Sequence, residues 1–144
     1  MTSPTLRAIT DRAAAYGAAW NAHDIDGILD LQAPDMVFHL HVEGFAEVRG
    51  AEALRELFGF FFAALPDYHA GLRRAHLRDS LVILEYDITA TLAQPFPVGV
   101  EVGVPTGNPM RVAAVDVLHC PDGGPFTRKD TYVDGFALRR GLGL

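Results

Sequence analysis

The sequence predicts an α+β domain in which N-terminal helices lie against a curved sheet of mixed or antiparallel strands. Apolar residues recur at helical spacing through much of the first third of the chain, whereas the second half alternates as strands. The chain has 144 residues, of which 49 % are apolar and 21 % are charged, values typical of a globular domain. We therefore expect a single domain, residues 1–144, with a sizeable buried core.

Two helices are expected at the N-terminus. Ser3 is a suitable N-cap for the first, in which apolar residues recur at steps of three and four positions. Tyr16 and Trp20 belong to this recurrent set, so both are expected on the packed face of the helix. Asp24 is expected to cap a second, shorter helix that ends near Leu31.

The first strand is expected at residues 36–42, where the side chains alternate in character. Leu40 belongs to the apolar face, and His39 and His41 share the opposite face. A third helix is expected at residues 51–65, because its wide apolar stripe requires a buried helix.

The remaining chain is expected to form the sheet. Four strands are expected at residues 68–78, 81–92, 110–120 and 126–134, with a short terminal helix at 136–142. The segment between residues 92 and 110 is interrupted by prolines, so it is either a binding loop or an irregular pair of bent strands.

The composition disfavours several functional classes. The formal net charge is −6 without a block of like charges, which argues against nucleic-acid binding. The longest apolar run, residues 57–65, is far shorter than the ~20 residues that cross a membrane. The single cysteine, Cys120, excludes an internal disulfide, and the N-terminus lacks a signal-peptide pattern, so we expect a cytoplasmic protein. No motif calls for a cofactor.

Short motifs along the chain support a resemblance to a known family. They lie at residues 18–24, 33–39, 49–54, 65–67, 114–118 and 129–135. Together with the order of elements, they resemble the SnoaL-like family of the nuclear transport factor 2-like superfamily and, more distantly, ketosteroid isomerase. This resemblance implies a cone-shaped fold and a homodimer formed through the outer sheet face. Members include isomerases, polyketide cyclases, epoxide hydrolases, dehydratases and non-catalytic binding modules, so the fold alone leaves the activity open.

The resemblance to ketosteroid isomerase implies a paired role for Tyr16 and Asp116. In that enzyme a tyrosine and an aspartic acid hydrogen-bond a developing enolate oxygen, and these two residues occupy the matching positions. Asp116 lies in the apolar segment 112–118, where a carboxyl group is costly to ionise. The alternative is that Tyr16 belongs to the core with a satisfied hydroxyl, and that Asp116 pairs with a nearby base.

The resemblance does not supply a proton-transfer group on the first strand, because Leu40 occupies the position of the family's catalytic aspartate. A bulge in this strand would turn His39 or His41 inward as an acid–base residue. Two other interpretations of this His-x-His pattern are a surface pair and a metal site with Glu43 as a third ligand. We expect no metal.

The last hairpin offers another acid–base candidate, Asp130, because SnoaL-like cyclases use an acidic residue on the final strand. One turn length would place Asp116 opposite Asp130, so that two carboxylates share one site. Another would place Asp116 opposite Lys129 as an ion pair. Alignment with the family favours Lys129 and Thr131 on the inner face.

These observations predict a small-molecule enzyme of bacterial secondary metabolism. An apolar cavity would bind a polyketide- or steroid-like metabolite and support cofactor-free cyclisation, isomerisation or dehydration by acid–base catalysis. The expected lining residues are Trp20, Phe58, Phe62, Leu40, Lys129 and Thr131. The alternatives are a non-catalytic dimeric ligand-binding module and an epoxide hydrolase or epoxide-opening cyclase.

Overall fold

The computed structural model describes residues 3–144 and confirms the α+β class. The helices are α1 (Pro4–Asn21), α2 (Ile25–Asp30), α3 (Ala51–Ala64) and α4 (Gly135–Gly141). The strands are β1 (Gln32–Leu40), β2 (Val48–Arg49), β3 (His69–Arg78), β4 (Leu81–Thr91), β5 (Phe96–Val98), β6 (Glu101–Gly103), β7 (Pro109–His119) and β8 (Phe126–Val133). Within residues 3–144, no helix combines the length and apolar character that a membrane crossing demands.

Six of the strands form one mixed sheet in the order β2-β1-β8-β7-β4-β3. Neighbouring strands are antiparallel except for β1 and β8, which are parallel. β5 and β6 form a separate two-stranded hairpin. Because side chains alternate between the two faces of a strand, each long strand has an inner face toward the helices and an outer face away from them.

The helices cover the inner face and enclose the core. Tyr16 of α1, Phe58 of α3 and Phe126 of β8 are buried there. Both predicted N-caps are present, because the side chains of Ser3 and Asp24 each accept a hydrogen bond from a backbone N–H of the first turn at 3.0 Å. These caps fix where α1 and α2 begin, and α1 then carries Tyr16 across the sheet.

β1 begins at Gln32, earlier than the predicted start at residue 36. Gln32 pairs with Phe126 of β8, and the register of this parallel pair shifts between Gln32 and Val37. Pro34 lies within the irregular segment, where its missing N–H interrupts no regular ladder. Pairing with β8, which is distant in sequence, therefore starts the strand before Pro34, although the proline by itself argues against a strand there.

The proline-rich segment 92–110 forms the irregular strand pair rather than an open loop, since β5 and β6 lie within it. Gly103 of β6 packs closely on the C-terminal segment, because a Cβ atom there would lie 2.7 Å from the Cβ of Leu142. The hairpin and the end of the chain thus meet without space for a side chain between them.

β7 and β8 pair in a register that neither alternative from the sequence anticipated. Asp116 lies opposite Thr131, and Asp130 lies opposite Val117. Asp130 therefore points away from the face that carries Asp116, and the alternative in which the two carboxylates share one site is wrong. The physical reason is the turn between these strands, which contains a 3₁₀ segment at Pro121–Gly123 and thereby sets the register.

Candidate functional site

Two cavities lie between the helices and the inner face of the sheet. The inner cavity has a volume of about 80 Å³ and is lined mainly by apolar side chains of the sheet and α3. The helix-side cavity measures about 390 Å³ and is bounded by α1 and by strands that include β3 and β4. Trp20, Tyr68, Tyr86 and Lys129 border both cavities and form a shared wall between them.

Four of the expected lining residues lie in the cavity walls. They are Leu40 and Thr131 in the inner cavity, and Trp20 and Lys129 in both. Phe58 and Phe62 line neither cavity, contrary to expectation. The ring of Phe58 packs edge-on against Trp20 with 4.8 Å between centroids, and that of Phe62 stacks on His23 at 4.4 Å. Both phenylalanines lie behind the cavity wall, because these side chains of α3 pack against residues of the N-terminal helical segment instead of facing the cavities.

Asp116 is the centre of a buried polar network. Its Oδ1 accepts a hydrogen bond from the hydroxyl of Tyr86 at 2.8 Å and another from the hydroxyl of Thr131 at 2.7 Å. Its Oδ2 lies 3.4 Å from Nζ of Lys129, longer than the ~2.7–2.9 Å of a strong charge-assisted hydrogen bond. Asp116 thus has one oxygen held by two hydroxyls and one oxygen that is only loosely paired.

Lys129 places an amine in an almost fully apolar environment. Its side chain is 5 % exposed, and Nζ lies 4.1 Å from the ring centroid of Trp20 and 5.0 Å from that of Tyr16. Burial lowers the pKa of the Lys129 amine, and the nearby Asp116 carboxylate partly opposes this shift. The aromatic faces stabilise the charged form of the amine without accepting its protons.

Three tyrosines around the network remain hydroxyl donors at neutral pH. Burial raises the pKa of Tyr86 well above its ordinary value, and the negative charge of Asp116 raises it further. Burial is also the main cause of the raised pKa of Tyr16 and of Tyr68. Each hydroxyl can therefore donate a proton in a hydrogen bond but does not give it up.

Tyr16 borders the helix-side cavity together with Asp116, but another residue already engages its hydroxyl. Its hydroxyl donates a hydrogen bond to Oε1 of Gln32 at 2.7 Å, although both Tyr16 and Asp116 border the helix-side cavity. The reason lies in β1, whose early start places the buried Gln32 within reach of α1. The alternative of a satisfied core hydroxyl therefore describes Tyr16 in this structure, and a joint role of Tyr16 and Asp116 toward a substrate oxygen stays a prediction.

His39, His41 and Asp130 lie on the outer face of the sheet, away from both cavities. Nε2 of His41 lies 2.8 Å from Oδ1 of Asp130, and the ring of His41 stacks on Tyr132. Asp130 also accepts hydrogen bonds from Arg128 at 2.8 and 3.0 Å. No bulge turns either histidine inward, because Leu40 between them packs against the core. The predicted acid–base roles of these three residues in the cavity are therefore not supported by their placement.

Two residues of the network, Tyr86 and Gln32, were not identified as site candidates from the sequence. Tyr86 lies two residues from both Leu84 and Ile88 along β4 and therefore shares their face of the strand. Its inner-face position could have been inferred from this pattern. Its partnership with Asp116 depends on the pairing of β4 with β7, in which Leu84 lies directly opposite Asp116. The hydroxyl reaches Asp116 diagonally, and sequence periodicity carries no signal for that contact.

Comparison with known families agrees with the fold. The model of the SnoaL-like domain matches residues 13–128 of the chain. The protein belongs to the SnoaL-like family. The match covers most of the chain and confirms the resemblance drawn from its motifs. No protein of curated function matches this SnoaL-like chain at a significant level.

Solved structures of similar shape span nearly the whole SnoaL-like chain. AclR from Streptomyces galilaeus is 25 % identical, with a TM-score of 0.76, over 96 % of this chain and 86 % of its own. IdmH from Streptomyces antibioticus is 25 % identical, with a TM-score of 0.74, over 94 % and 99 % of the two chains. A SnoaL-like protein from Jannaschia sp. CCS1 has a TM-score of 0.84 at 15 % identity, over 99 % and 96 %. This last likeness concerns the fold alone.

Leu40, which the resemblance aligns with the catalytic aspartate of ketosteroid isomerase, lines the inner cavity with an apolar side chain. Among residues 3–144, the only carboxylate that lines either cavity belongs to Asp116. Asp116 and Lys129 are therefore the acidic and basic side chains that line these two cavities in the described part of the chain.

Proposed function

We propose that this SnoaL-like protein is an enzyme of bacterial secondary metabolism that rearranges an apolar polyketide- or steroid-like ketone by cofactor-free acid–base catalysis. The reaction class is cyclisation, isomerisation or dehydration through an enolate. One observation carries the proposal: a single buried Asp116–Lys129 pair lies where two otherwise apolar cavities meet. The resemblance to IdmH, which is described as a proposed polyketide cyclase, supports the choice of substrate class.

The network assigns different roles to its two charged groups. Oδ2 of Asp116 accepts the proton from the carbon next to the substrate carbonyl, because Oδ1 is already engaged by Tyr86 and Thr131. The ammonium of Lys129 stabilises the negative charge that develops on the substrate oxygen. The lowered pKa of Lys129 also makes its ammonium a stronger acid, which favours protonation of that oxygen. Asp116 then returns its proton to another carbon, or to a departing hydroxyl that leaves as water, and the enol oxygen returns its proton to the Lys129 amine as the carbonyl re-forms.

The shape of the cavities supports a mostly apolar guest. The helix-side cavity, at about 390 Å³, falls within the ~300–1,000 Å³ of ligand sites. The inner cavity, at about 80 Å³, is too small for a ring system unless the shared wall moves. A guest in the helix-side cavity would meet Asp116 and Lys129 directly, because both border it.

A non-catalytic binding module is the second candidate function. It is favoured by the engagement of the Tyr16 hydroxyl with Gln32, which leaves that group no free proton to offer a substrate. The epoxide-opening alternative receives less support, because it needs two carboxylates around one water and the described cavity walls contain only that of Asp116.

We also propose that two copies of the chain associate through the outer face of the sheet. Support comes from the family resemblance and from the apolar character of β7 on that face, where Ala113, Val115 and Val117 alternate with the inner-face residues. A sheet covered on both faces is expected to be apolar on both.

Enolisation is the step that tests the proposal without knowledge of the natural substrate. The purified protein is incubated in D₂O with β-tetralone, an apolar bicyclic ketone, and deuterium uptake at the α-carbons is followed by NMR. We expect uptake above the buffer rate, and a decrease of at least about tenfold in Asp116→Asn, because a positioned acid–base group contributes ~10²–10⁴-fold. Lys129→Met is expected to slow uptake as well.

A buried carboxylate on the outer face provides the matched control. Asp87→Asn is expected to leave deuterium uptake unchanged, since Asp87 bonds Arg73 and Arg111 on the other side of the sheet. Circular dichroism confirms that each variant is folded. Equal uptake in the wild type and Asp116→Asn, or no uptake above buffer in the wild type, would contradict the enzymatic proposal and favour the binding module.

A further inference from the structure

A group of metal-ligating side chains lies on the outer face, outside the proposed site. This histidine cluster consists of His39 on β1, His41 directly after the end of β1, and Asp130 on β8. Parallel pairing places His39 opposite Asp130, and the backbone N–H of His41 donates a hydrogen bond to the carbonyl of Thr131 on β8 at 2.9 Å, so the three side chains project from neighbouring positions. One potential ligand atom from each residue lies within 4.8 Å of the other two.

We propose that the histidine cluster binds one divalent transition-metal ion of the Zn²⁺ type and thereby clamps β1 to β8. Two imidazole nitrogens and one carboxylate oxygen form a donor set that suits Zn²⁺, Ni²⁺ and Cu²⁺. Hard cations such as Mg²⁺ and Ca²⁺ prefer oxygen ligands and do not match this set. Water would complete the coordination, because three protein ligands leave a position open.

The spacing of the cluster is close to what one ion requires. Bonds of about 2.0–2.1 Å from a shared metal place two ligand atoms roughly 3–4 Å apart. The rings of His39 and His41 lie 3.9 Å apart between centroids, and Nε2 of His41 lies 2.8 Å from Oδ1 of Asp130. Small rotations of these side chains suffice to bring the donors around an ion, since the strand backbones already hold them together.

Arg128 competes with a metal ion for Asp130, but it also has a second acidic partner to which it can remain bonded. Its guanidinium bonds both oxygens of Asp130, where a cation would compete with it. The same guanidinium donates a hydrogen bond to Glu47 at 2.7 Å, so it keeps an anionic partner if it leaves Asp130. With neutral imidazoles, the charges of Asp130, Glu47 and Arg128 sum to −1, which favours a dication.

In the single chain, the cluster is accessible to an ion from solution. The side chain of His41 is 30 % exposed and that of Asp130 is 12 % exposed. The side chains of the cluster are therefore partly buried: solvent reaches them, but their neighbours restrict their motion. Partial burial limits the motion of the ligands and so reduces the entropy lost when they converge on the metal.

Isothermal titration calorimetry with Zn²⁺ as the probe tests the proposal on the full chain. We expect one Zn²⁺ per chain in the wild type and no binding of Mg²⁺. His41→Ala and Asp130→Asn are expected to weaken Zn²⁺ binding at least about tenfold, since even the groups behind metal ligands are worth ~10–100-fold. Arg128→Gln is expected to tighten it, because the competing cation is lost.

His76 supplies the matched control. It lies on the same face, with Nε2 at 2.6 Å from Glu85, but belongs to a different strand pair. His76→Ala should bind Zn²⁺ as the wild type does, and Zn²⁺ should raise the melting temperature of both while leaving that of His41→Ala unchanged. Absence of stoichiometric binding in the wild type, or equal affinity in His41→Ala, would overturn the proposal. Absence of binding overturns the proposal also where the cause is that the proposed dimer covers the cluster, because the cluster then binds no metal in the protein as it exists.

Discussion

The amine of Lys129 and the carboxyl group of Asp116 lie close together in a buried part of the molecule. Their side chains are 5 % and 6 % exposed, and the contact between them is long, at 3.4 Å. Removal of an ion from water is costly, and a buried pair offsets that cost only when its geometry is good. Here the hydroxyls of Tyr86 and Thr131 donate hydrogen bonds to Asp116, and the Trp20 ring lies beside the Lys129 amine. Each group therefore has stabilising partners in addition to the other.

Lys129→Met tests this balance at the level of a single residue. The substitution retains much of the side-chain volume and leaves the Asp116 carboxylate without its cation. We expect the free energy of unfolding to fall by about 3–5 kcal/mol, as for other broken buried pairs. Urea denaturation followed by circular dichroism measures the change.

The double variant Lys129→Met/Asp116→Asn distinguishes the lost cation from altered packing. If the stranded carboxylate causes the loss, the second substitution should recover part of it, because an amide is cheaper to bury than an ion. A double variant no more stable than Lys129→Met would assign the loss to packing instead.

At the scale of elements, the strength of the helical and strand patterns decided what could be predicted. α3 is expected at residues 51–65 and observed at Ala51–Ala64, because its apolar stripe and the preceding Gly50 are local signals. β1 could not be placed correctly, since its first residue is set by parallel pairing with β8 at the other end of the chain. Local periodicity holds no information about that partner.

The site could be predicted only to the level of its strands. The inner-face positions of Asp116, Lys129 and Thr131 follow from alternation once a register is chosen, but the register depends on a turn whose geometry the sequence left open. The hydrogen bonds to Asp116 come from one directly opposite residue, Thr131, and one diagonal residue, Tyr86. Family resemblance favoured the inner face for Lys129 and Thr131, where the structure has them, but it carried no signal for the hydrogen bond between Tyr16 and Gln32.

The hydrogen bond between Tyr16 and Gln32 joins α1 to β1 and tests how the helix is held on the sheet. In Tyr16→Phe the buried Oε1 of Gln32 loses its donor, and we expect the free energy of unfolding to fall by about 1–3 kcal/mol. Gln32→Leu should have a smaller effect in the Tyr16→Phe variant than in the wild type, because the bond is already absent there. Additive losses in a double-mutant cycle measured by urea denaturation would show that the two residues act independently.

At the scale of the whole molecule, the outer face gives the proposed dimer a testable interface. We expect light scattering after size-exclusion chromatography to give twice the mass of one chain at micromolar concentration. Introducing charge into the apolar row of β7, as in Val115→Glu/Val117→Glu, should halve that mass, because two unpaired carboxylates would be buried on association. A wild-type protein that elutes with the mass of one chain would contradict the dimer.

The chain contains a single tryptophan, and that residue is Trp20 in the wall between the two cavities. Its indole lies 4.1 Å from the Lys129 amine, so all the tryptophan fluorescence of the protein originates beside the buried cation of the site. Emission is sensitive to the charge and polarity around an indole. Binding of a ligand, or deprotonation of Lys129, should therefore change the wavelength or the intensity of tryptophan emission in the unlabelled protein.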